Sequence, residues 1–214
     1  MKKIITILLI AAASSCYSQV KPLDTIYKKI VHTYYFTSWN DTGHVANYSF
    51  YMLTKKQMKG PKLPRAFTFQ IDPLNPMVSP DVYNYTFDRG HLSPFASMCF
   101  NKTAASECFY MTNIVPQNPN LNRNLWVMFE REERFQAKEF DSTYITTGCI
   151  FTSHQTFTKD SIWIPDYMYK VISNSHGTEC FYARNTNQPI TNINQYRVSI
   201  QFIEQKTGFT FIKN

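Results

Sequence analysis

The chain has 214 residues, of which 43% are hydrophobic, 16% aromatic and 17% charged, enough to bury one substantial core and marginal for two. That balance excludes an intrinsically disordered, collagen-like or low-complexity chain. Lys and Arg number 22 against 15 Asp and Glu, and without Lys2 and Lys3 there are still 20 basic residues against 15 acidic ones, an excess that suits a polyanionic partner.

Residues 1–18 read as a secretory signal peptide: Lys2 and Lys3 give a charged start, residues 4–13 an apolar stretch, and residues 14–18 a small and polar exit. The apolar run is too short to span a bilayer comfortably. Later candidates are each interrupted by Tyr, Thr, Asn or Lys, so the mature chain, residues 19–214, is expected to carry no integral membrane segment and to be secreted or periplasmic. Ser18 before Gln19 suits simple cleavage, while Ala13-Ser14-Ser15-Cys16 loosely resembles a lipobox and leaves lipid anchoring at Cys16 as the minority route. The other cysteines, Cys99, Cys108, Cys149 and Cys180, are even in number in an exported chain, which favours two disulfides. The expected pairs are Cys99 with Cys108 and Cys149 with Cys180. A zinc site built from Cys149, His154, His176 and Cys180 is the rival, and it lacks a C-x-x-C anchor.

Residues 33–53, rich in Tyr, Phe, Val and Thr with partial alternation, predict strands. Residues 55–64 read as a basic loop, residues 66–71 as a short strand, and residues 72–81 as a proline-punctuated loop. It leads into Phe87-Asp88-Arg89-Gly90-His91. A second loop at residues 101–106 precedes an expected buried strand at residues 108–115. The clearest helix covers residues 120–140, with Leu121, Leu125, Met128 and Phe129 on its apolar face and residues 130–134 as a solvated charged stretch. Strands are expected at residues 143–151, 162–172 and 179–184, and a helix with a final strand in residues 195–212. Nothing repeats and no linker divides the chain, so the expectation is one α+β domain over residues 19–214.

Two clusters carry chemistry. In an extended Asp88-Arg89-Gly90-His91 segment, Arg89 and His91 share one face and Asp88 takes the other. A guanidinium fork and an imidazole on one surface can hold a phosphate and move a proton beside it, and Gly90 would leave room for close approach. By itself, the segment reads better as a turn with a capped histidine. In the second cluster, Asn113 and Pro116-Gln117 lead to Leu121-Asn122-Arg123-Asn124-Leu125-Trp126 and then Glu130. Asn122, Trp126 and Glu130, spaced by four, lie along one side of a helix. The Asn122 amide oxygen and the Glu130 carboxylate suit a hydrated hard cation. Alternatively, the asparagines are caps and Trp126 is core.

Together, in this order, D-R-G-H (Asp88 to His91) and N-x-x-P-Q followed by L-N-x-N-x-W and a glutamate (Asn113 to Glu130) resemble the DNA/RNA non-specific endonuclease family. Weaker echoes stand at residues 144–148, at Ile164-Pro165 and at residues 169–172. The resemblance spans most of the mature domain. It implies a ββα-metal (His-Me finger) nuclease, with a central antiparallel sheet flanked by helices, that hydrolyses phosphodiester bonds of DNA and RNA with Mg²⁺, or Mn²⁺ as a substitute, and leaves 5′-phosphates. It further implies His91 as general base, Asn122 as the direct metal ligand, Glu130 acting through a metal-bound water, Asn113 as a supporting residue, and Arg89 on phosphate or the transition state. The family also uses an arginine upstream of D-R-G-H, and Arg65 is the nearest candidate. Contacts would run through the sugar-phosphate backbone, so cleavage should be insensitive to sequence. Lys55, Lys56, Lys59 and Lys62 would add electrostatic attraction or form a merely solvated loop, and Tyr85 and Ser93 flank the D-R-G-H segment closely enough to touch substrate or to pack beside it. A homodimer stays open. The rivals are a catalytically silent nucleic-acid-binding domain on the same fold and a phosphodiesterase acting on small nucleotides.

Overall fold

The computed structural model describes residues 20–23, 27–83, 86–157, 161–189 and 192–213; the expected leader, Cys16 and Tyr85 lie outside them. In chain order the elements are β1 (Val20–Leu23), β2 (Lys28–Val31), β3 (Tyr35–Asn40), β4 (Val45–Thr54), α1 (Lys55–Lys59), β5 (Asp88–His91), α2 (Phe95–Met98), α3 (Lys102–Glu107), β6 (Ile114–Gln117), α4 (Trp126–Glu139), β7 (Ser142–Ile150), β8 (Thr156–Phe157), β9 (Ile162–Trp163), β10 (Tyr167–Asn174), β11 (Gly177–Arg184), β12 (Arg197–Val198), α5 (Ile200–Thr207) and β13 (Thr210–Lys213). Among the described residues no helix is long and apolar enough to cross a membrane.

Seven strands form one sheet in the order β12-β11-β10-β7-β4-β3-β2, with each neighbouring pair antiparallel. Side-chain alternation sends successive residues to opposite faces. On one side Cys149, Met168 and Phe181 join the core that includes Leu125, Trp126 and Phe129, while Tyr51, Leu53 and Ile145 join a second cluster with Met58, Met98, Phe109 and Ala137. Tyr48, Ile150, Tyr169, Val171 and Cys180 join Ile203 of α5 and Phe211 of β13 on the other. Each large side chain so buried stabilises the fold by about 1.5–3 kcal/mol. Against the first face lies a ββα unit: β5 pairs antiparallel with β6, Asp88 opposite Gln117 and His91 opposite Ile114, and α4 follows. The architecture is therefore the expected α+β one, an antiparallel sheet between helical layers, carrying a ββα-metal unit.

Local chemistry overrides several sequence expectations. The basic stretch at residues 55–64 begins as helix α1, because Thr54 and Gln57 form a reciprocal capping box: Thr54 Oγ1 accepts from the Gln57 N–H at 3.2 Å, and Gln57 Oε1 accepts from the Thr54 N–H at 2.8 Å. Asn101 likewise caps α3 by accepting from the Thr103 and Ala104 N–H groups, so residues 101–106 are mostly helix. Residues 108–115 are a tight turn, Met111–Asn113, followed by the start of β6. Within residues 66–71 only Gln70 pairs, in a single parallel bridge with Tyr110.

The disulfide expectation is overturned as well, since Cys99, Cys108, Cys149 and Cys180 are all buried free thiols. Cys149 pairs with Met168 and Cys180 with Val171. An odd offset along β10 puts the two sulfurs on opposite faces of the sheet, beyond disulfide reach. Cys99 and Cys108 each donate to a carbonyl of their own turn, Ala96 and Ala105. Burial pushes the Cys108 thiol up to about 12, the inert end of thiol chemistry. The same opposed faces separate the pieces of the rival zinc site, and among the described residues no three His, Cys, Asp or Glu side chains gather around a common point.

Two predictions follow from this packing. Thiol titration of the urea-unfolded, unreduced protein is expected to find Cys99, Cys108, Cys149 and Cys180 all reactive, and fewer than four would contradict the geometry. Tyr169 lies across Gly148 in the β7–β10 register, and a Cβ on Gly148 would overlap the Tyr169 ring. Gly148→Val should therefore cost about 1–3 kcal/mol in urea unfolding, and an unchanged midpoint would refute the close packing.

Candidate active site

Strand β5 presents its side chains in alternation, as the extended reading requires. Arg89 lies over the Phe69 ring at 5.2 Å from its centroid, and the His91 imidazole packs on the same ring at 5.3 Å. Phe69 thus holds both functional groups on one surface. Arg89 Nη2 also donates to the Pro80 carbonyl at 2.7 Å, a use for the proline-rich loop that sequence alone does not suggest. His91 is almost fully buried between Phe69 and the edge of Phe109, with Nε2 unpartnered. Arg65, exposed, stacks over Phe109 and Phe95 at 5.3 and 5.7 Å.

Asp88 faces the other way and meets the start of the helix. Residues Leu121–Leu125 form a π-turn, and the Trp126 N–H donates to the Leu121 carbonyl five residues back. The extra residue breaks the four-residue spacing read from the sequence: Trp126 turns into the core with no exposure, while Asn122 turns towards β5. There Asn122 Nδ2 donates to Asp88 Oδ2 at 2.8 Å, and Arg123 clasps the same carboxylate through Nε at 2.8 Å and Nη2 at 2.6 Å. With its NH₂ committed to Asp88, the Asn122 amide turns its oxygen away from that carboxylate, as a hard cation requires. Arg65, Phe69, Tyr83, Phe87, Asp88, Arg89, Asn122 and Arg123 line an open cleft of about 310 Å³.

Glu130 stands two turns further along α4, 3.9 Å from Arg134. Burial, reinforced by the Glu133 charge, pushes its carboxyl up to about 7. Arg65 acts electrostatically on both His91 and Glu130; of the predicted site residues, Arg65, Arg89 and Asn122 line the cleft itself, and His91 and Glu130 do not. At Asp88, burial is outweighed by the hydrogen bonds from Arg123 and Asn122, and its carboxyl is held below the usual range.

Three sequence readings change role. Asn113 is fully buried and grips backbone: its amide nitrogen donates to the Ser93 and Cys108 carbonyls at 2.9 and 2.8 Å, and its oxygen accepts from the Ser93 N–H at 2.9 Å. It fixes the chain two residues past His91, and Ser93 is itself buried against Ser49. Gly90 serves packing rather than substrate approach, because a Cβ there would overlap the buried Gln117 side chain. Two lysines of the basic stretch are engaged locally: Lys55 Nζ donates to the Glu139 carbonyl at the far end of α4, and Lys62 Nζ to the Gln57 carbonyl. Sequence reasoning also missed Asp88 as the acceptor that orients Asn122, and Arg123 as the second donor to that carboxylate. It placed Glu133 in solvent, where the structure buries it completely. The inward positions 126, 129, 133, 136 and 137 of α4 were the signal that could have found it.

Burial, helped by the Arg65 charge, drives the His91 imidazole down to about 3. In the unfolded chain a histidine takes up its proton near pH 6.5. The unfolded state therefore binds protons first as pH falls, and His91 removes stability from about pH 6.5 down to about pH 3. The raised Glu130 acts in the opposite sense, favouring the folded state at low pH and losing that contribution as pH rises through about 7. Urea unfolding of His91→Gln beside the native protein is expected to show a shallower loss of stability between about pH 7 and pH 4; parallel profiles would contradict the neutral, buried imidazole.

Comparison with known proteins agrees with this fold. A chain in the crystal structure of the EndoG/EndoGI complex superposes with a TM-score of 0.78 over 87% of this chain and 86% of that one, at 21% identity. The human mitochondrial Endonuclease G is 27% identical over 60% of this chain and 49% of its own length. Human mitochondrial Nuclease EXOG is 25% identical over 84% and 55%, and the Nuclease of Serratia marcescens 29% over 84% and 73%. The chain thus spans about half the length of the two mitochondrial relatives. Residues 13–214 match the DNA/RNA non-specific endonuclease family, and the chain belongs to that family.

Proposed function

We propose that the protein is an endonuclease that hydrolyses internal phosphodiester bonds of DNA and RNA with little regard for sequence, using Mg²⁺, or Mn²⁺ in its place. One observation carries the reading: a cleft walled by Arg65, Arg89 and Arg123 in which the Asn122 amide is oriented by Asp88 beside β5, the strand that ends in His91. An anion-binding wall, an oriented oxygen ligand and a neutral imidazole are the parts that phosphodiester hydrolysis needs.

The roles follow from the chemistry of each group. His91, kept neutral by burial, takes a proton from the attacking water on its imidazole. Arg89 and Arg65 hold phosphate oxygens through their donor forks, on side chains already ordered by aromatic faces. Asn122 would hold the cation directly and Glu130 through water; when bound, Mg²⁺ supplies charge stabilisation to the developing oxyanions. Asp88 fixes which atom of Asn122 is presented, and Asn113 fixes the backbone that follows His91. None of these groups reads base edges, so the substrate is the backbone of either nucleic acid. The leader-like pattern of residues 1–18 supports export to the periplasm or the medium.

Plasmid and total-RNA digestion tests the reading directly. The native protein should smear both with Mg²⁺ and neither with EDTA, more slowly as salt rises. His91→Ala should lose about a hundredfold to ten-thousandfold in rate, and Asn122→Ala should abolish the Mg²⁺-dependent smearing. Intact substrates accompanied by gel shifts would identify a nucleic-acid-binding domain instead, and hydrolysis restricted to mononucleotide diesters would identify a small-substrate phosphodiesterase.

A further inference from the structure

Beneath the cleft lies an ionic cluster with no part in the reaction described above. Glu133 of α4 and Lys170 of β10 form an ion pair in which neither side chain has any solvent exposure. Glu133 also accepts from Ser97 Oγ at 2.5 Å and from the Tyr51 hydroxyl, which lies 2.9 Å from both carboxylate oxygens. Besides Glu133, Lys170 Nζ donates to Thr147 Oγ1 at 2.7 Å and to the Tyr51 hydroxyl at 3.4 Å, and it sits 5.6 Å from the centre of the Trp126 ring. The five polar residues come from α4, α2 and strands β4, β7 and β10.

A buried ion pair is rarely the most stable filling for such a space, since apolar side chains of similar volume do as well or better. What directional bonds add is a fixed mutual geometry. Here the fixed elements are those that carry the reaction. Glu133 lies one turn beyond Glu130 on the helix that Asn122 leads into. Ser97 lies six residues beyond His91, on the far side of the Ser93 backbone that Asn113 grips. We propose that Glu133 and Lys170 are positioning residues of the nuclease reaction: their buried pair, with Tyr51, Ser97 and Thr147, sets the helix bearing Asn122 and Glu130 against the segment bearing His91. The proposal rests on the nuclease reading and adds residues that touch neither substrate nor cation.

The test separates positioning from stability. In the purified protein, Glu133→Gln and Lys170→Met each strand one buried charge and should lower both Tm and kcat. The double variant Glu133→Gln/Lys170→Met strands none, and should regain most of the native Tm while kcat stays about a hundredfold low at an unchanged KM. Mn²⁺ affinity without nucleic acid, followed by electron paramagnetic resonance, should weaken in the same variant. A double variant that regains native kcat and Mn²⁺ affinity along with Tm overturns the proposal and leaves the pair purely structural. If the double variant does not fold, Tyr51→Phe and Ser97→Ala decide, since each keeps the ion pair and removes one hydrogen bond to Glu133: reduced kcat at native KM in both supports the proposal, and native kcat in both overturns it. A native protein that leaves nucleic acid intact fails the nuclease reading and takes the proposal with it. Native cleavage matched by the double variant fails the proposal alone.

Discussion

The Glu133 carboxylate and the Lys170 ammonium are wholly cut off from water, and the packing of α4 on the sheet depends on that fact. Each charge would cost several kcal/mol if left alone in the interior. Rotating α4 by one residue, about 100°, would strand both. Hydrophobic contacts from Leu125, Trp126 and Phe129 hold the helix down, but such contacts are non-directional and tolerate sliding. The ion pair, with Tyr51, Ser97 and Thr147 filling its remaining bonds, permits one rotation and one height.

A second carboxylate performs the same task at the other end of the ββα unit. Asp88 leaves β5 on the face opposite Arg89 and is met by Asn122 and Arg123. That meeting depends on the π-turn at Leu121–Leu125, because a continuous α-helix would carry Asn122 round with Trp126 towards the core. The turn is held from outside: Asn118 Oδ1 accepts from the Asn120 and Leu121 N–H groups, and the Asn118 N–H donates to Asn185, whose amide clasps the Pro116 and Pro165 carbonyls. The asparagine-rich run thus divides its work: Asn118 caps the helix start, and Asn122 turns to Asp88 at the cleft.

Much of this was legible in the sequence. The alternation of Arg89 and His91, the helix that runs to about Phe140, the strand character of the Tyr- and Thr-rich stretches and the α+β class all follow from period and composition. Other features depend on register that no local pattern encodes. The free thiols required knowing that Cys149 and Cys180 sit an odd number of rungs apart on β10. Gly90 and Gly148 required knowing that Gln117 and Tyr169 lie across from them. Glu133 was misread for a different reason: in the run from Glu130 to Arg134 every residue is charged, and only the inward phase of α4, together with Lys170 between Met168 and Ile172 on β10, marks one of them as interior. The capping box at Thr54 and Gln57 was readable and was passed over because four lysines dominate that stretch.

The cleft joins two electrostatic requirements that ordinarily conflict. A polyanionic substrate calls for positive charge, and Arg65, Arg89 and Arg123 supply it; the general-base role proposed for His91 calls for an unprotonated imidazole, and His91 is held neutral by burial and by Arg65 itself. The same guanidinium serves both ends. While it is unpartnered by phosphate it disfavours the imidazolium, keeping the base free of protons. An anion that neutralised it would remove that repulsion and leave burial as the remaining brake on protonation of His91. Aromatic faces, which order the arginines without supplying a counter-charge, preserve the full positive field for the incoming backbone; Arg123 alone is matched by a carboxylate, and that carboxylate is engaged in orienting Asn122.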